Sequence, residues 1–274
     1  FPTRRSSDLA LEKILSLPPA ISPLRRRILL AKTIQAIEGF TNGFDQALAL
    51  GDALASFLDQ IIIEDLSFSD LADIVPEEFS RHWQITLDFL KILSEAWPKI
   101  LAEEGVIDAA DRRNRLMHIL AAHWQETRPQ TPIIAAGSTG SIPATARLLG
   151  VIAALPRGTV ILPGLDNHID EDSWNTLLPS HPQYGFKVLL RGISLDKKDV
   201  KHWPGTCEEN TMRTKLASEM MRPAETAREW THQYETTQQK EELDCALEGI
   251  SQIETSNQRD EAAMIALKFR EVLE

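Results

Sequence analysis

Cysteine is nearly absent: Cys207 and Cys245 are the only two in 274 residues, and they lie far apart. They form no CxxC or other metal-ligand spacing, so both read as reduced thiols and a zinc module or disulfide framework is excluded. An uninterrupted apolar run of about 18 residues is also missing, as is any signal-peptide pattern, which predicts a soluble, cytoplasmic chain with no membrane partner. Basic charge is in deficit. Lys and Arg number 29 against 40 Asp and Glu, for a net charge of −11. The bulk electrostatics therefore give no ground for nucleic-acid binding, and only a local groove could provide it. There is no internal repeat.

What is present is an ordinary globular composition, 43% hydrophobic and 25% charged, enough for one large or two modest domains. The chain is organised around residues 132–166, PIIAAGSTGSIPATARLLGVIAALPRGTVILPGLD. An apolar strand at Ile133–Ala136, a Gly/Ser/Thr loop, an amphipathic helix and a second apolar strand at Thr159–Leu162 predict a parallel βαβ unit buried on both faces. Ser141 is the expected N-cap of the helix and Pro143 falls in its first turn, with Ala146, Leu148, Leu149, Ile152, Ala153 and Leu155 on its inner side. Ligands of open α/β sheets sit at the carboxyl ends of strands, so Ala136, Gly137, Ser138, Thr139, Gly140 and Ser141 are the candidate ligand contacts.

That loop is defined by what it lacks. No Lys or Arg lies between Gly137 and Arg147, so it is no Walker A loop. The G-x-G-x-x-G and G-x-S-x-G spacings are absent. A working Walker B strand would end in Asp-Glu, whereas this one ends in Ala136-Gly137, which can neither bind a cation nor act as a base. What remains is a tight turn whose free N–H groups at a helix start could hold a phosphate. No catalytic residue is assigned. No metal is assigned either: Asp166, His168 and Asp170–Asp172 lack a calcium-loop pattern and read as cap and dipole partners, and His118 and His123 are five apart rather than four.

Residues 10–130 read as helical throughout. Ser22 and Pro23 mark one helix start, followed by Arg25, Arg26 and Arg27 as a solvated face. A second helix over Phe44–Ile63 carries Leu48, Leu50, Leu54, Phe57, Leu58 and Ile61. A third, from about Pro76 to Leu101, carries Trp83, Leu87, Phe89, Leu90, Leu93, Trp97 and Leu101 as core. A fourth, from Asp108 to Trp124, sets Arg112, Arg113 and Arg115 among Asp108 and Asp111. This patch reads first as a salt-bridged face and second, together with Arg147, as a set of DNA-backbone contacts. Short helices are expected around Trp174 and over HPQYGFKVLLRGI, with a boundary near Pro204-Gly205. Residues 205–274 hold fifteen acids and eight bases, a mostly solvated surface ending in an apolar-striped helix over Asp260–Leu273. The chain has no initiating Met, and its opening FPTRRSSDL reads as a translated sequencing-adaptor remnant. Residues 1–9 are therefore set aside and the remainder is expected to be an internal piece of a longer protein.

Several runs together resemble a known family: AAGSTGSIPATARLL, VILPGLD followed by DEDSW, HPQYG, the MRPAET run and the closing RDEAAMIALKFREVLE, with LPPAISPLRRRILLA and HWQ…LDFLKIL…AWP upstream. They are similar to AddB, the B subunit of the AddAB double-strand-break repair helicase–nuclease, in its alphaproteobacterial form, over essentially all of residues 10–274. The resemblance implies an α/β, helix-rich fold: a partial superfamily 1 helicase-like core interrupted by a large helical insertion. Residues 10–130 would be the insertion, 131–204 the resumed core, and 205–274 the passage into the second motor half. Ala136-Gly137 would stand where an active motor carries Asp-Glu, and Gly164-Leu165-Asp166 near its Gly-Asp-x-x-Gln. No motor arginine is assigned, because the alignment around Arg222 is loose.

The implied role is single-stranded DNA contact, scanning for a regulatory sequence in some members, and docking to the AddA subunit, within a complex that processes duplex ends for recombinational repair. Mg²⁺, ATP and a 4Fe–4S cluster belong by implication to the complete complex, with no cofactor assigned to this segment. Two other readings stand beside it. One is a small stand-alone α/β protein holding a phosphorylated metabolite at Gly137–Ser141; the other is a purely structural adaptor.

Overall fold

The computed structural model describes residues 12–36, 43–66, 95–203, 211–228 and 237–274. Contacts divide the chain into two units, one formed by residues up to 165 with 182–203, the other by 166–181 with the residues beyond 203. The fold is helix-rich with a small two-stranded parallel sheet.

The first unit begins with α1 (Pro23–Gln35) and α2 (Phe44–Ile63). Ser22 caps α1 by accepting from the Arg25 amide, and Pro23 takes the first helical position, as the sequence predicts. The bounds of α2 are also those expected, and Ala47, Gly51, Leu54, Leu58 and Ile61 form its buried stripe. Phe57, expected inward, is 36% exposed because it lies off that stripe. By length and composition α2 could cross a membrane. Its apolar side is instead packed on α1, and its polar side carries Asp52 and Asp59 paired to arginines.

Next come α3 (Trp97–Glu104), ended by left-handed Gly105, and α4 (Ala109–Thr127). The long helix expected from Pro76 is described only from residue 95 on. Trp83, Leu87, Phe89, Leu90 and Leu93 lie outside the described residues. The core joins Ile21, Leu30, Ile34, Leu54, Leu58 and Trp97, the last only 2% exposed.

Arg25 and Arg27 are exposed, as the solvated-face reading expects, whereas Arg26 is shielded, and all three are paired. Arg25 reaches Glu104 at 2.6 Å, Arg27 reaches Asp52 at 2.7 Å, and Arg26 lies 2.9 Å from Asp59 and 2.7 Å from Asp108. Positive charge is disfavoured in a first helical turn; here four carboxylates from other parts of the chain offset it. The Asp108 carboxylate makes no cap on α4; it accepts the Trp97 indole N–H at 2.9 Å.

The βαβ unit forms as predicted: β1 (Ile133–Ala136), α5 (Pro143–Ala153) and β2 (Gly158–Ile161), with the strands parallel and Ala136 paired to Ile161 at their carboxyl ends. β2 starts one residue earlier than expected. The expectation of burial on both faces fails, for Ile134 is 63% exposed and Ala136 and Thr159 are exposed too. α5 packs on the sheet, and the alternating burial of β1 shows that its inward residues are Ile133 and Ala135. Helix α7 (Tyr184–Gly192) completes the unit, burying Phe186, Leu189 and Leu190.

The second unit contains α6 (Glu171–Thr176), α8 (Thr211–Met220), a 3-10 turn at Ala224–Thr226, α9 (Thr237–Leu247) and α10 (Gln258–Leu273). Asp170 caps α6 by accepting from the Ser173 amide at 2.7 Å, the role read for it in the sequence. α10 is capped by Asn257 and buries none of its residues. Phe269, Val272 and Leu273 are 67%, 83% and 85% exposed.

Candidate functional site

Residues 137–141 leave the carboxyl end of β1 and enter α5. Gly137 and Gly140 both adopt positive φ, at +81° and +66°. At Gly140 a side chain is excluded twice over, since a Cβ there would meet the Leu189 methyls of α7 at about 2.9–3.0 Å. The loop ties itself by short polar contacts: Gly140 N–H donates to Ser138 Oγ at 3.3 Å, and Thr139 Oγ1 donates to Ser141 Oγ at 3.2 Å.

Ser141 is therefore not the N-cap. Ile142 holds that position and supplies no side-chain cap. α7 begins against the same loop, with Gly185 next to Ser141 and Thr139, and its N-cap Gln183 also leaves its own helix uncapped, donating instead to Gly164 O at 3.0 Å. Two helix starts without side-chain caps thus meet one Gly/Ser/Thr loop. This is a concentration of N–H donors and of positive helix-dipole ends.

Ala136 and Gly137 carry no carboxylate to this edge. Among the described residues, no group of three His, Cys, Asp or Glu side chains is placed to hold a metal ion. Asp166, on the next turn, accepts from the amides of His168 and Ile169 at 2.8 and 3.2 Å and serves the local turn.

The four candidate DNA-contacting arginines are not one patch. Arg112 donates to Pro18 O at 3.2 Å. Arg113 is half-buried, with Nε and Nη2 shielded from solvent and unpartnered among the described residues. Arg115 is exposed and pairs with Asp111 at 2.8 Å. Arg147 alone lies beside the loop, on the exposed side of α5, where it lines a groove of about 990 Å³ between α4, α5 and α7. Sequence periodicity gave no signal for this groove, because its walls come from three helices.

The second unit has a different polar centre. Arg222 donates Nε and Nη2 to Glu219, both at 2.8 Å, and Nη1 to Asp170 Oδ2 at 2.5 Å and Ser173 Oγ at 2.9 Å. Ser173 Oγ lies 2.7 Å from Thr226 Oγ1. The hydrogen bonds that Arg222 donates to Glu219 hold it charged against the opposing effect of burial. Burial pushes the Asp170 carboxyl up, but the Ser173 amide and the Arg222 guanidinium outweigh it and leave it below the usual carboxylate range. A cavity of about 370 Å³ adjoins this cluster. With its donors spent on Glu219, Asp170 and Ser173, Arg222 is a connector within the unit rather than an anion receptor.

The chain is helix-rich with a small two-stranded parallel sheet. No family model, curated protein or solved structure matches the chain.

Proposed function

We propose that this chain is a catalytically silent, helicase-like portion of an AddB-type subunit, serving single-stranded DNA contact and docking to an AddA motor in double-strand-break repair. The observation that carries this reading is the carboxyl edge of the parallel sheet. A motor would present carboxylates there for Mg²⁺ and water; this chain presents Ala136-Gly137 and a loop of N–H donors flanked by two uncapped helix starts. The sequence runs similar to AddB, from LPPAISPLRRRILLA through RDEAAMIALKFREVLE, agree with it in order.

Two measurements test the reading: fluorescence anisotropy with a labelled single-stranded oligonucleotide, and ATP turnover with Mg²⁺. Binding without turnover is expected. Mg²⁺-dependent turnover lost on Gly137 or Asp166 substitution would sink the reading. A thermal shift with sugar phosphates or nucleotides, and none with the oligonucleotide, would replace it by a stand-alone protein binding a phosphorylated metabolite through Gly137–Ser141.

One observation favours the adaptor alternative. The apolar stripe of α10, with Ile265 at 49% and Phe269 at 67% exposure, is the kind of surface a partner protein covers. Capture of AddA with no effect of DNA, together with no binding of oligonucleotide, would select it.

A further inference from the structure

The groove between α4, α5 and α7 has a charge balance unlike that of the chain. Acids outnumber Lys and Arg by 40 to 29 overall. Among the described residues lining the groove, none is acidic, while Arg128, Arg147 and His118 are present. Its floor is small and apolar, with Ala121, Ala146, Gly150, Val151 and Leu189, and Trp124 stands half-buried in its wall.

Its ends also differ. One end is Gly140-Ser141, where α5 starts without a side-chain cap, and the other is Gln125 and Arg128 at the close of α4. Eleven residues of α5 run between them, a span of ~16 Å at 1.5 Å per residue. The arrangement alternates donors for anionic oxygens with an apolar floor and an aromatic plane. Single-stranded nucleic acid alternates phosphates and flat bases in the same way, and proteins that hold it without reading sequence use cationic grooves with stacking aromatics. A folded partner helix would need neither the N–H-rich end nor the planar wall.

We propose that this groove holds a short stretch of single-stranded nucleic acid, its phosphates at the α5 start, Arg147 and Arg128, and one base against Trp124. The proposal rests on the DNA-contact reading above and names where that contact is made. The groove places the polyanion against a described lining that has no carboxylate to repel it, within a chain of net charge −11.

The test uses the whole chain and a fluorescein-labelled oligothymidine in an anisotropy titration at several salt concentrations. Arg147 is exposed, so Arg147→Glu should leave the thermal midpoint unchanged, weaken binding about tenfold and reduce the salt slope by about one. Trp124→Leu keeps apolar volume but loses the stacking plane, and should weaken binding roughly fivefold or more. It should leave binding of an abasic oligonucleotide unchanged. Because Trp124→Leu could perturb packing, a measurement on the unaltered chain accompanies it: an oligonucleotide carrying 5-iodouracil, irradiated in complex, should crosslink to Trp124.

Oligonucleotide binding that is unaffected by Arg147→Glu, with no crosslink in α4, overturns the groove while leaving the DNA reading intact. No oligonucleotide binding at all overturns both. An acidic amphipathic helical peptide that binds, is lost on Arg147→Glu and is not displaced by oligonucleotide makes this a protein-docking groove and overturns the proposal.

Discussion

Arg26 in the first unit and Arg222 in the second are both shielded from solvent, with side chains 12% and 7% exposed, yet they act in different settings. Arg26 pairs with Asp59 and Asp108 beside a continuous apolar cluster that includes Trp97 and Leu30. Burial of that cluster drives association, and the ion pair selects which helices meet. Buried pairs add little net stability but are costly to break on one side. In the second unit the described buried apolar set is thin: Ile169, Leu177, Leu216 and Ala246. There the arginine itself ties Asp170 and Ser173 at the start of α6 to Glu219 near the end of α8. The same residue type refines an apolar core in one place and substitutes for one in the other.

The contrast is sharpest under truncation. Trp97→Ala should cost about 3–5 kcal/mol, since it removes a fully buried ring and leaves the Asp108 carboxylate without its indole donor. Urea unfolding measures the loss, and hydrogen exchange should place it in α1, α2 and α4. A midpoint barely changed would mean the cluster is not the stabilising core.

Arg222→Ala should cost about 3 kcal/mol, chiefly because Glu219, with its side chain 7% exposed, is left buried and uncompensated. Faster exchange should appear in α6 and α8 and not in α1. Arg222→Lys should recover only part of the loss, as an ammonium cannot reproduce the two-pronged contact with Glu219. Full recovery by Lys would mean that charge alone matters there.

Acid should separate the two arginine centres next, because Asp108 beside Arg26 and Asp170 beside Arg222 shift in opposite directions. Burial pushes Asp108 up, against the pull of Arg26 and the Trp97 indole. An acid whose folded pKa is raised loses stability as pH climbs from the unfolded value near 4 through the folded one, so acidification does not weaken it. Asp170 is lowered on balance, despite burial, by the Ser173 amide and Arg222. Its contribution is present above about pH 4 and disappears as pH falls through the lowered value. Exchange in α6 and α8 should accelerate below pH 4 before exchange in α1 does. Asp170→Asn should flatten that part of the acid dependence; an unchanged profile would assign it to another group.

The smallest effects are expected at the surface. Phe57→Ala and Arg115→Ala should each stay within about 0.5 kcal/mol of the parent, the first being off the buried stripe of α2 and the second an exposed i,i+4 pair. A larger loss at Phe57 would show that something covers it in solution.

What could be read in the sequence follows from how local each signal is. The limits of β1 and α2, the Ser22-Pro23 start and the Asp170 cap depend on residues within a turn or two of one another, and the structure has them where periodicity and capping place them. Arg25 meets Glu104 across 79 residues, and Arg222 meets Asp170 across 52. No window of helical or strand period contains such pairs, so the ion pairs of the triplet and the shielding of Arg26 were not legible. The open face of β1 escaped for a related reason. A run such as IIAA fits a two-sided buried strand by composition, but whether both sides are covered depends on neighbours the run does not encode. The strand-end loop was legible as a place and as an absence of chemistry. The groove beside it, assembled from α4, α5 and α7, was not.

Gly158 gives the βαβ unit a fixed lever. A side chain there would fall on the carbonyl of Ile152, so only a hydrogen separates the end of α5 from the start of β2. At the other end of the same helix, Gly140 lies against Leu189 with no room for a Cβ. α5 is thus set against backbone at its end and against the buried Leu189 side chain before its start. A methyl added at position 158 would not stay local: a short stiff helix pivots as a rod, and the displacement would reappear about 16 Å away, at the loop where the N–H donors are aimed.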